Sequence, residues 1–221
     1  MRTPPSHKYP SRCPQWMALG LVWLPCLVLG WLSSAPALSV LFWWALCAAP
    51  TGALAACGHW RGAVLVPMLW GLVAGVPWAD FAQQSAVFPR PWAGAAALLA
   101  LYLVGFSLAN LCGAMRPRRC LAVAAALWVV AGLLCALPSG AGLLARPFPA
   151  EALAVLFDIS PQVWVFEVAG FDWLRHPAVY EPAGAADLDP TLRTAWGFQG
   201  ALAALAASLI LALVTRRVIR K

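Results

Sequence analysis

The chain has 221 residues, 62% of them hydrophobic and 10% charged, and a mean hydropathy of +0.77. Soluble domains run near ~45–50% apolar and ~25% charged, so 15 basic and 8 acidic residues cannot coat a globule of 23.5 kDa. The composition excludes a soluble domain, a disordered chain and a secreted disulfide scaffold. What it leaves is an all-α, polytopic membrane protein.

A spanning helix needs about 20 mostly apolar residues. Six stretches qualify, at 16–32, 38–57, 62–79, 92–114, 121–137 and 195–214. They divide the chain into a tail over 1–15, a five-helix region over 16–142, an outer segment over 143–194, and a final helix with a basic tail over 195–221. Pro25, Pro50, Pro67 and Pro77 fall inside or at the ends of the first three stretches, where a membrane helix tolerates a kink. A competing reading takes Arg2, Lys8 and Arg12 with the first apolar stretch as a signal peptide cleaved near Ala35-Pro36-Ala37. In the third stretch Gly71 and Gly75 form a small-xxx-small pattern suited to close helix packing.

The basic residues set an orientation. Arg2, Lys8, Arg12, Arg61, Arg116, Arg118, Arg119, Arg216, Arg217, Arg220 and Lys221 occupy alternate connections, and no acidic residue shares those connections. The positive-inside rule then places both termini in the cytoplasm. Seven acidic residues (Glu151, Asp158, Glu167, Asp172, Glu181, Asp187 and Asp189) lie between the fifth and sixth stretches, and Asp80 lies between the third and fourth. The net charge of +7 is therefore an inside–outside asymmetry facing an anionic leaflet. It points to the lipid bilayer as partner and not to nucleic acid. Thirteen Arg against two Lys, with much Ala and Pro, suggest a bacterial inner membrane.

The outer segment holds two apolar runs, Glu151–Phe157 and Gln162–Leu174, too short to span and suited to interfacial or re-entrant helices. Trp164, Phe166, Phe171, Trp173 and Tyr180 are candidates for headgroup depth at the outer leaflet. If 171–176 is helical, Asp172 meets Arg175 at i+3 and His176 at i+4. An Asp172–His176 couple could serve as a general base or a metal half-site; the plainer reading is a solvated cap in which Asp172 pairs with Arg175 and the helix ends before Pro177. Neither residue is a firm catalytic assignment.

Seven cysteines read as small buried hydrophobes, since there is no Cys-x-x-Cys and none lies in the outer segment. A zinc-like site from Cys57, His59, Cys112 and Cys120 is the competing reading. No metal and no cofactor are expected. No nucleotide-binding or hydrolase motif occurs. No ionisable side chain lies deep in a stretch, which argues against a proton-driven carrier.

Six spans, cytoplasmic termini and a large outer segment before the last helix resemble the membrane subunit of the ABC-2 type exporter family. In that family the segment before the last helix forms short re-entrant helices, comparable to Glu151–Phe157 and Gln162–Leu174. The resemblance implies a permease-like subunit that exports or flips a substrate, energised by a separate ATP-binding subunit and paired with a second permease subunit. Two other functions fit the same pattern. One is a structural or assembly subunit of a membrane complex; the other is a membrane-surface enzyme using Asp172 and His176.

Overall fold

The computed structural model describes residues 28, 36–56, 91–112, 117–141, 150–170 and 197–219. Among these residues the protein is all-helical, with six helices. They are α1 (Pro36–Ala55), α2 (Pro91–Leu111), α3 (Pro117–Ala141), α4 (Ala150–Ile159), α5 (Pro161–Val168) and α6 (Gly197–Ile219). The expected stretches at 16–32 and 62–79, with Gly71 and Gly75, lie outside the described residues.

Four helices open on proline at the first helical position, where the missing N–H costs nothing and the fixed φ suits the helix. For α3 this sets the start at Pro117, four residues before the expected 121, because exposed Arg118 and Arg119 fit the first turn. The Arg119 guanidinium also donates to the carbonyl of Cys112, at 3.4 Å, just past the end of α2. A cation there meets the carbonyls that a helix C-terminus leaves over.

The helices are apolar nearly all round. Cys120, Ala124 and Ala131 of α3 are buried, whereas Leu121, Val129, Val130 and Leu133 on its other side are 52–63% exposed. On α6, Leu202, Leu209, Ile210, Leu213 and Val214 are likewise exposed. Of the described helices only α2 is long and apolar enough, over Trp92–Leu111, to cross a membrane; Val40–Ala55 and Gln199–Thr215 are apolar but shorter.

α2 is the hub, packing against α1, α3, α5 and α6. α2 ends at Leu111 and α3 begins at Pro117, and Ala109 near the end of α2 clusters with Cys120 and Ala124 near the start of α3, so the two helices run antiparallel. α1 is antiparallel to α3 as well. Near its start Trp43 meets Trp128 edge-to-face at 6.0 Å, and near its end Ala53 clusters with Cys120 and Ala124. α1 and α2 are therefore parallel, and they pack with almost no spacing. A Cβ on Gly52 would collide with the carbonyl of Tyr102, and one on Gly105 with the carbonyl of Ala49. Among the described residues, Gly52 on α1 and Gly105 on α2 are a glycine pair that brings two backbones together.

Cys120 corrects the reading of every cysteine as an apolar filler. It is 1% exposed and disulfide-bonded. Cys112 is a free thiol, and Cys135, further along α3, is about 22 Å away at 1.5 Å per residue. Spacing gave no hint of this bond, because no Cys-x-x-Cys marks Cys120.

Candidate functional site: a buried break between two short helices

α4 and α5 form a helix–break–helix. Pro161 disfavours helical backbone at the residue before it, and Ser160 accordingly takes φ −71°, ψ 120°. α4 is closed by the Ser160 N–H on the carbonyl of Phe157 (3.1 Å), and α5 opens with the Trp164 N–H on the carbonyl of Ser160 (3.0 Å). At its far end Gly170 adopts φ 83° and donates to the carbonyl of Glu167 at 3.0 Å. Glycine enters the left-handed region without steric cost and so ends helices. This is why α5 stops at Val168 and does not run on to Leu174 as the apolar run suggests.

The break is buried. Ser160 and Gln162 are each 1% exposed. The Ser160 hydroxyl does not cap α5; it donates to Gln162 Oε1 at 3.0 Å. Gln162 Nε2 in turn donates to the carbonyl of Ala131 at 3.4 Å. Ala131 sits ten residues before the end of α3 at Ala141, or about 15 Å along the helix axis at 1.5 Å per residue. The tip of the hairpin is therefore docked well inside the length of α3. Gln162, Val163, Val165, Phe166 and Val168 are all buried, and α5 touches α1, α2, α3, α4 and α6. α4 buries Ala154 and Phe157 while leaving Val155 and Ile159 more than half exposed.

Several buried donors lack a partner: the indole N–H of Trp44 on α1, the hydroxyl of Ser107 on α2, and the indole N–H of Trp164 on α5. Ser107 is the odd one among helical hydroxyls. Thr51, Ser208 and Thr215 each return their proton to a carbonyl three or four residues back, and Ser107 does not. An unmet buried donor costs about 1–3 kcal/mol. The acidic side chain of Glu167, on α5, is partly buried, with its Oε2 enclosed among these helices.

Of the residues singled out by sequence, Phe166 is 3% exposed and packs within the helices, and Trp164 is half-buried. Phe171, Asp172, Trp173, His176 and Tyr180 lie outside the described residues. Among the described residues no three His, Cys, Asp or Glu side chains come together as a metal site would need. Sequence reasoning missed Gln162. A glutamine two residues after a serine and flanked by apolar residues was the available signal, because such a polar group in an apolar run must find a partner. Comparison of the chain with protein-family models, with curated protein sequences and with solved structures finds no match.

Proposed function

We propose that the chain is a six-span integral membrane protein of a bacterial inner membrane, with both termini cytoplasmic. In this reading it is a permease-like subunit that exports or flips a substrate. A separate ATPase supplies the energy and a second permease subunit completes the path. The observation that carries the reading is the hairpin of α4 and α5, too short to span, with its polar tip tied to the Ala131 carbonyl. Broken helices inside an apolar bundle are tolerated where they are buried in protein or line a cavity, and in transporters they form the substrate site.

Two further facts support it. The outward faces of α3 and α6 carry Leu, Val and Ile where a water-facing helix would carry charge. α5 itself is buried on Gln162, Val163, Val165, Phe166 and Val168, as a re-entrant element inside a bundle would be.

The test is purification of the full-length chain from its native membrane in mild detergent. A stoichiometric ATP-binding subunit in the preparation is the expected result, and its clean absence would overturn the permease reading.

A further inference from the structure

α3 buries one side and leaves the other open. Cys120 and Ala124 sit in the cluster with Ala53 of α1 and Ala109 of α2, and Ala131, two turns further on, is buried as well. On the opposite side Arg118, Ala122, Ala125 and Val129 follow one another at intervals of three and four residues. They lie on one helical stripe, and all four are exposed. Arg119, Ala126 and Val130 form the stripe beside it and are also exposed. The small residues leave a shallow strip between two guanidiniums at one end and the bulkier Val129, 61% exposed, at the other. Gly132 continues the gap, since a Cβ there would meet nothing within 4 Å.

The strip is charged at one end only. No Asp or Glu occurs in the sequence between Asp80 and Glu151, so no nearby residue of the chain neutralises Arg118 and Arg119. Arg119 gives one N–H to the Cys112 carbonyl, which holds it at the helix start; a guanidinium carries five such donors. Its planar fork matches the oxygens of a phosphate. The length of the strip also fits a lipid. From Arg118 to Val129 is about 16 Å along the axis at 1.5 Å per residue, and one leaflet supplies half of a hydrocarbon core about 30 Å thick.

We propose that this side of α3 binds an anionic phospholipid, its phosphate on Arg118 and Arg119 and an acyl chain along Ala122, Ala125 and Val129. The proposal rests on the membrane reading above and adds to it a lipid class and a place. A second copy of the chain is the competing occupant, and charge disfavours it. Two copies inserted in the same sense would meet along α3 in parallel about a two-fold axis. That pairing gathers four guanidiniums with no acidic group beside them. An anionic headgroup brings the opposite charge to the same place.

The experiment reconstitutes the full-length protein into phosphatidylcholine vesicles doped with phosphatidylglycerol whose acyl chain carries a photoactivatable diazirine. A matched sample carries the diazirine on phosphatidylcholine, and labelled peptides are mapped by mass spectrometry. The phosphatidylglycerol probe should label residues 121–133 more heavily, and unlabelled phosphatidylglycerol should compete the label away. Arg118→Gln combined with Arg119→Gln should cut that labelling about tenfold. Arg118→Lys combined with Arg119→Lys keeps the charge and should retain most of it. Flotation of the same samples reads membrane association separately. A chain that does not float with the vesicles overturns the membrane reading and this proposal with it. A chain that floats but takes up both probes equally, or labels unchanged in the Gln variant, overturns the lipid site alone. So would disulfide cross-linking between copies of Val129→Cys beyond that of the wild-type chain, which would assign the face to a second copy.

Discussion

Single atoms decide two of the contacts that hold this bundle together. Gly52 and Gly105 sit where a methyl group would meet a backbone carbonyl of the facing helix, so there is no side chain that could swing aside. Gly105→Ala should force α1 and α2 apart and lower stability by about 1–3 kcal/mol, the usual cost of overpacking. Gly132 provides the control, since a Cβ there meets nothing within 4 Å. Gly132→Ala should be neutral or stabilising by up to about 1 kcal/mol from helix propensity. Thermal unfolding in detergent compares the two, and equal effects would show that the close approach is not what limits stability. The polar residues divide in the same manner. Ser107→Ala removes an unmet hydroxyl and should raise stability slightly, whereas Gln162→Leu removes both of its hydrogen bonds and should lower it by about 1 kcal/mol.

At the scale of the helix, apolar length in the chain foretold most elements. The runs at 38–57, 92–114 and 195–214 appear as α1, α2 and α6 within a few residues; Glu151–Phe157 lies within α4, and only the first part of Gln162–Leu174 lies within α5. Their ends needed local chemistry that hydrophobicity does not report: Pro117 opening α3, and Gly170 at φ 83° closing α5. The contacts were not legible at all. Nothing near Gly52 announces Tyr102, and nothing near Gln162 announces Ala131, because both pairings are long-range. The exposed face of α3 supplies a test of what surrounds it. Val129→Arg on a water-facing surface would be tolerated, while on a lipid-facing one it costs about 2.5–3.5 kcal/mol near mid-helix. Under the proposed membrane setting Val129→Arg should reduce the membrane-inserted yield, with Arg118→Lys at the helix start as the unaffected comparison. An undiminished yield of Val129→Arg would argue for water on that face.

For the whole molecule the scarcity of charge underlies the proposed class and orientation. A periplasm-active phosphatase fused after Arg119 should be inactive, and one fused between the fifth and sixth apolar stretches should be active. The reverse pattern would invert the proposed topology. Function was less legible than fold, since the tie that marks the candidate site joins residues 31 positions apart.

The position of α5 also constrains when the protein can be finished. Its walls come from α1, α2 and α3, made before it, and from α6, made after it. An eight-residue helix lies far below the length that is stable alone in water, so α5 has no independent existence while the chain is emerging. Its contacts with α6 can form only when synthesis has passed Gly197. Chains cut short before that point should keep the early helices and hold α5 less firmly, one of its walls being absent.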